Sequence, residues 1–287
     1  MFTSIGTAVF LYKIHMTKKV LQEKTIRDII SIHGELSSAK NLTPSPLING
    51  EFSKLVHIVN VTTSHSSREI LGNAKIASIL KDIRTLSSKG ESELELFWAK
   101  KVLASDIPEA ILAQFPYYEN YEKMTEFEVR GMRSCDLHKN HKILFVGSGP
   151  LPLSSIMMAR QHGFSVDNLD IDSNAVDVSR KIISAIGLSE NVKVVKGNIF
   201  SMKDFVKYKG IFIAALVGKD EAEKIKIVSH ISNQSEKGTH VILRSVSDLG
   251  TLLYPNIRVD TLKGINVLKK YDRPKGIINN IIVGKTK

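Results

Sequence analysis

The 287-residue chain carries 40 Lys and Arg against 29 Asp and Glu, a formal net charge of +11, with 43% hydrophobic and 24% charged residues. That balance is typical of globular proteins; it excludes disorder and collagen-like repeats, and the length allows one large domain or two modest ones. The single cysteine, Cys135, excludes an internal disulfide framework and a cysteine-based zinc site, so a reducing compartment fits.

The basic surplus is dispersed, as in Lys18-Lys19, Lys100-Lys101 and Lys269-Lys270. No basic block with interleaved aromatics stands out, so solvated faces are expected and a nucleic-acid partner is not. The apolar start, Phe2 to Tyr12, has no cationic segment before it and no small-residue cleavage site, so no signal peptide is expected. It is also far shorter than the ~20 residues of a membrane-spanning helix. A cytoplasmic protein with no membrane partner is the expectation.

The first half reads as helical. An apolar-periodic run with Ile26, Ile29, Ile30 and Ile32 ends near Gly34, and a polar, proline-bearing stretch covers Ser37 to Pro46. Helical patterns resume at Phe52–Val59 and Ser67–Leu86, break at Ser87-Ser88-Lys89-Gly90, and continue from about Ser92 to Ala104. Pro108 stops or restarts the helix. The aromatic segment Phe115-Pro116-Tyr117-Tyr118-Glu119-Asn120-Tyr121 follows, and one more helix reaches about Leu137.

In the second half, short apolar runs alternate with helical segments. Strands are expected at Ile143–Val146, Ser165–Leu169, Val192–Val195, Ile211–Leu216 and His240–Leu243. Helices are expected at Leu153–His162, Ala175–Ile186 and Glu221–Ser229. Such alternation builds a doubly wound, mostly parallel sheet. Gly264–Lys269 and Ile277–Val283 have no helix between them and read as a hairpin closing the sheet edge. The predicted fold class is α/β: residues 1–138 form an all-helical domain and residues 139–287 the doubly wound one.

Gly147-Ser148-Gly149-Pro150 follows the first strand directly, with Leu151 and Pro152 after it. Glycines there allow a tight turn and close backbone approach to a ligand, at which the next helix aims its N–H groups. Pro150 and Pro152 suit a first helical turn. Asp170 lies 21 residues after Gly149, at the end of the second strand and beside Ile171. A carboxylate there can accept from both ribose hydroxyls. Pro152 stands where a dinucleotide fingerprint has its third glycine, so a nucleoside without phosphates, such as S-adenosylmethionine, fits better than a pyrophosphate. Asn198, with Ile199 after it, follows the third strand; its amide can pair with an adenine edge or simply order a loop. Ala214-Ala215-Leu216 ends the fourth strand, where ligands bind in open α/β sheets.

Several separated motifs resemble the nicotianamine synthase family, most closely the plant enzymes. They are Phe145-Val146-Gly147-Ser148-Gly149-Pro150-Leu151-Pro152-Leu153, Ala214-Ala215-Leu216-Val217-Gly218, Leu243-Arg244-Ser245, Leu253-Tyr254-Pro255 and the Phe115–Tyr121 segment. The resemblance runs from about residue 50 to the C-terminus, and residues 1–36 match nothing. It implies a class I methyltransferase-like fold with S-adenosylmethionine as substrate and no metal. It also implies condensation of three aminocarboxypropyl groups into nicotianamine, an azetidine-containing metal chelator, with release of three methylthioadenosines. The alternative within the same fold is a methyltransferase acting on a small molecule or RNA.

Glu95 lies at the edge of the stripe Leu94, Phe97, Trp98 and Val102. Its residues alone leave two readings: a partly desolvated base, or the cap partner in the capping-box pattern Ser92-x-x-Glu95. The resemblance places it on the family's catalytic glutamate, with Glu91 and Glu93 as solvated alternatives. It further implies that Tyr121 orients a reacting group, that Tyr118 walls the cavity, that Arg244 holds a substrate carboxylate bidentately and that Tyr254 closes the site. Packing for the tyrosines and an ordinary salt bridge for Arg244 are the competing readings. His138 and His141 lack a third metal ligand and read as linker, and Cys135 reads as a packed thiol.

Overall fold

The computed structural model describes the backbone from Thr3 to Lys287 and the side chains from Lys19 onward. The apolar start at Phe2–Tyr12 and Lys18 therefore lie outside the described side chains. In chain order the helices are α1 (Thr3–Ser38), α2 (Pro46–Val61), α3 (Ser64–Leu71), α4 (Ala74–Leu103), α5 (Pro108–Leu112) and α6 (Tyr118–Arg133). Strands then alternate with helices: β1 (Lys142–Val146), α7 (Leu153–His162), β2 (Ser165–Asp170), α8 (Ser173–Ala185), β3 (Val192–Lys196), β4 (Gly210–Ile213), α9 (Glu221–Gln234) and β5 (His240–Ser245). The hairpin β6 (Ile265–Tyr271) and β7 (Asn280–Thr286) ends the chain. No helix of the described residues is long and apolar enough to cross a membrane.

The strand order is β3-β2-β1-β4-β5-β7-β6. β1 to β5 pair in parallel, and β7 runs antiparallel to both β5 and β6. The order reverses between β1 and β4, which opens a crevice above the carboxyl ends of those strands. Both faces of the sheet are apolar, because alternate side chains point to opposite sides. Leu144, Val146, Ile211, Ile213, Val241 and Leu243 pack with Ile227, Val228 and Ile231 of α9. Their neighbours Ile143, Phe145, Phe212 and Ile242 pack with Val129 and Met132 of α6 and Met158 of α7. Each such side chain stabilises the fold by about 1.5–3 kcal/mol of transfer free energy.

The change from helices to strands falls between Arg133 and Lys142, and apolar clusters run across it. Ala99 and Val102 of α4 pack with Leu153 and Ile156 of α7 and Val176 of α8. Leu249, Leu252 and Leu253, which follow β5, pack among α1 to α4. These contacts pack the helical segments against the elements of the sheet half.

Several expectations need correction. The run Ser67–Leu86 is split at Gly72-Asn73, because Gly72 ends α3 and the Asn73 side chain caps α4 through the Lys75 N–H at 3.0 Å. Conversely, the break expected at Ser87–Gly90 is absent, and α4 runs unbroken to Leu103. Ser87 Oγ donates back to the Ile83 carbonyl at 2.8 Å, which satisfies the hydroxyl within the helix. Gly90 is needed for packing: a Cβ there would sit 2.2 Å from Phe52 Cζ. The capping-box reading of Ser92 and Glu95 falls with the break, since both lie in the helix interior. β4 also ends earlier than expected, at Ile213. The basic surplus is solvated as expected at Lys19, Lys100, Lys101, Lys269 and Lys270.

Candidate active site

The crevice holds two connected chambers. The first, about 390 Å³, is lined by Gly147 to Ser155, Leu169 to Asp172, Gly197 to Phe200 and Ala214 to Gly218. The second, about 240 Å³, lies under the helices and is walled by Phe52, Val56, Tyr117, Met124, Tyr254 and Asn279, among others. Glu91, Glu95, Tyr121, Ala215 and Arg244 line both and mark the junction.

The first chamber takes its shape from the glycine turn. Gly147 has φ +80°, and a Cβ there would meet Val217 Cγ2 at 2.2 Å. Gly149 has φ +68°, and a Cβ there would meet Glu95 Oε2 at 2.5 Å. Only glycine fits both demands. The Gly149 N–H donates to Asp170 Oδ2 at 2.8 Å, and the Asp172 N–H donates to Oδ1 at 3.0 Å. Asp170 thus ties the turn to the end of β2 and keeps a lone pair on each oxygen for a ligand. Pro150 and Pro152 precede α7 rather than forming its first turn, since the helix begins at Leu153. Ser148, Leu151 and Ile199 are buried in the lining, while Ile171 is exposed at the rim. Asn198 Oδ1 accepts from the Phe200 N–H at 3.0 Å, which leaves its amide NH₂ available to a ligand.

Ala214, Ala215 and Leu216 form the loop after β4, held from below by Lys224. That lysine is completely buried and donates to the carbonyls of Ala214 and Ala215 at 3.3 and 2.6 Å. Burial, with the charge of Arg244 adding to it, brings its pKa down to about 7.

The junction is dominated by carboxylates. Glu95 is buried, and Tyr121 Oη donates to its Oε1 at 3.2 Å. Burial pushes the Glu95 carboxyl well above the ordinary carboxylate range; Glu91 and Asp170 reinforce the shift, while Tyr121 and Arg244 oppose it. Burial also raises the Tyr121 phenol, with Glu95 and Glu91 adding to it. Glu91 departs from the sequence reading. It is half-buried, lines both chambers, and its Oε2 accepts from Tyr254 Oη at 2.8 Å. Burial raises its pKa as well. The expected helix break concealed this, because an unbroken α4 puts residues four apart on one face. Tyr254 lines the second chamber and also packs with the α1–α4 cluster.

Two further placements differ from expectation. Tyr118 lies outside both chambers and packs against the α7–α8 cluster, with Tyr117 in its place on the wall. Tyr117 and Tyr121 are four residues apart and share a face, from which Tyr118 is turned by a helical step. Arg244 turns its bidentate edge to a protein carboxylate: Nε and Nη2 donate to Glu128 at 2.6 and 3.0 Å, and Nη2 also donates to Ser154 Oγ at 2.6 Å. Elsewhere, the His138 N–H donates to His141 Nδ1 at 3.1 Å, and Cys135 is buried as a free thiol. Among the described residues no group of three or more His, Cys, Asp or Glu side chains is placed to hold a metal ion.

A model of the family described as nicotianamine synthase protein matches residues 17–287, so the likeness begins well before residue 50. Nicotianamine synthase 2 of Arabidopsis thaliana is 29% identical over 266 residues, covering 91% of this chain and 83% of that protein. Nicotianamine synthase of Solanum lycopersicum is 28% identical over 264 residues, with the same coverage. Among solved structures, a mutant of MtNAS superposes with a TM-score of 0.81 at 21% identity, covering 93% of this chain and 98% of that one. MtNAS in complex with MTA and tNA gives the same score, covering 92% and 97%. At that identity the structures show the shared fold, and the sequence match over residues 17–287 decides the lineage: the chain belongs to the nicotianamine synthase family.

Proposed function

We propose that the protein condenses S-adenosylmethionine units into nicotianamine by aminocarboxypropyl transfer, with residues 1–138 acting as the domain that covers the nucleoside-binding domain 139–287. The observation that carries this reading is the buried Glu95 carboxylate where the two chambers meet. In this reading the adenosine occupies the first chamber, with its ribose on Asp170 and its base beside Asn198. The aminocarboxypropyl arm points to the junction, and the acceptor amine arrives from the second chamber.

A sulfonium carries three electrophilic carbons, and alignment with the nucleophile selects among them. The amine lone pair forms the N–C bond as the C–S bond breaks, and sulfur keeps the electron pair and leaves as neutral methylthioadenosine. An ammonium has no lone pair, so the nitrogen first gives a proton to Glu95. A carboxylate whose pKa lies well above its usual range is matched to that task, which is worth ~10²–10⁴-fold in rate. The Tyr121 phenol, held protonated by burial, steadies Glu95 by donating to Oε1. A cytoplasmic setting accompanies the reading, since the single thiol requires no oxidising compartment.

Glu95→Gln tests this reading. The variant should bind S-adenosylmethionine as the parent does and release methylthioadenosine at least ~10²-fold more slowly. Parent-like turnover would remove Glu95 from the mechanism.

A further inference from the structure

Every unit added in the proposed reaction leaves a nitrogen three carbons behind the next reacting amine. In an extended N–C–C–C–N segment those nitrogens are about 5 Å apart by standard bond lengths. Side chains four apart on a helix have Cβ atoms roughly 5–6 Å apart. Glu91 and Glu95 are such a pair on α4, and both line both chambers.

We propose that Glu91, held by Tyr254, binds the ammonium of the unit already added, so that α4 keeps the growing chain in register with the amine reacting at Glu95. The inference rests on the aminocarboxypropyl reading above. The groups facing Glu91 are Tyr254 from the segment after β5, Tyr117 and Tyr121 from α6 and the residue before it, Arg244 from β5, and Glu95 itself. The bidentate edge of Arg244 goes to Glu128 and its second Nη2 bond to Ser154, so its ion pair lies elsewhere. Tyr254 occupies only one oxygen of Glu91, which leaves the other for an ammonium.

A second, independent feature points to the same ligand. Asn279 lines the second chamber, is only 6% exposed, and its Nδ2 has no partner. A buried amide with an unmatched donor suits a carboxylate. An aminocarboxypropyl unit carries one ammonium and one carboxylate, the pair of groups that Glu91 and Asn279 complement.

The test is the product distribution from S-adenosylmethionine alone, resolved by mass spectrometry, for the parent and Glu91→Gln. Losing a charge-assisted bond to the extended chain should raise the ratio of two-unit intermediate to final product by roughly tenfold or more. A slower reaction with parent product proportions would show a structural role only and overturn the proposal, as would an unchanged reaction. If circular dichroism shows Glu91→Gln unfolded, Tyr254→Phe and Asn279→Asp are the readout. Both should shift the ratio in the same direction, and parent proportions in both would overturn the proposal. Failure of the underlying reading is separately visible, because the parent would then release no methylthioadenosine.

Discussion

Gly149→Ala tests whether the nucleoside turn and the Glu95 carboxylate are fitted to each other. Two effects can be worked from the structure. The backbone at Gly149 has φ +68°, where a side chain costs about 1–2 kcal/mol. The added Cβ would lie 2.5 Å from Glu95 Oε2, so the carboxylate must retreat until the gap reaches the ordinary 3.4 Å. A displacement on the order of 1 Å at a reacting group can cost ~10²-fold in rate. Methylthioadenosine release should therefore fall by about that factor, while calorimetric affinity for S-adenosylmethionine falls by much less. Gly163→Ala is the control: its φ of +74° imposes the same strain, but its Cβ would meet only the Lys139 side chain at 3.7 Å. That variant should lose stability and keep its turnover per folded molecule. Folded Gly149→Ala with turnover within about twofold of the parent would refute the claim that Glu95 works from this position.

Two other substitutions probe the frame around the junction. Arg244→Met removes the cationic, bidentate partner of the fully buried Glu128, and breaking a buried pair costs about 3–5 kcal/mol, which a denaturant midpoint would record. A loss below about 1 kcal/mol would mean that Glu128 finds another partner. Lys224→Met carries a pH signature. With a folded pKa of about 7 against an ordinary value of 10.5, the unfolded chain binds the extra proton between those limits. Parent stability relative to the Met variant should therefore rise from pH 7 towards pH 10.5. A pH-independent difference would contradict the burial of this amine among carbonyls alone.

Much of the α/β half was legible because period-two and helical patterns alternate there without interruption. The expected bounds of α7, Leu153–His162, coincide with those observed, and the five parallel strands begin within a residue of expectation. The helical half was less legible. Ser87 and Gly90 resemble a break, yet one bonds back into its own helix and the other makes room for Phe52, a residue 38 positions away. Such long-range packing leaves no local pattern. The continuity of α4 is also what aligns Glu91 with Glu95 on the wall of the second chamber, a relation that depends on the same long-range packing. The bidentate partner of Arg244 was illegible for a similar reason, because Glu128 lies 116 residues away on α6. Nothing in the local sequence sets Lys224, near the start of α9, apart from the other basic residues; its burial follows from the carbonyl turn it supports.

The most direct measurement is the identity of the nucleoside released when the pure protein is incubated with S-adenosylmethionine and no other acceptor. Transfer of the longer arm at the junction predicts methylthioadenosine together with a nicotianamine-type product. S-adenosylhomocysteine in its place would show that the methyl group is what the junction presents, and would contradict the account.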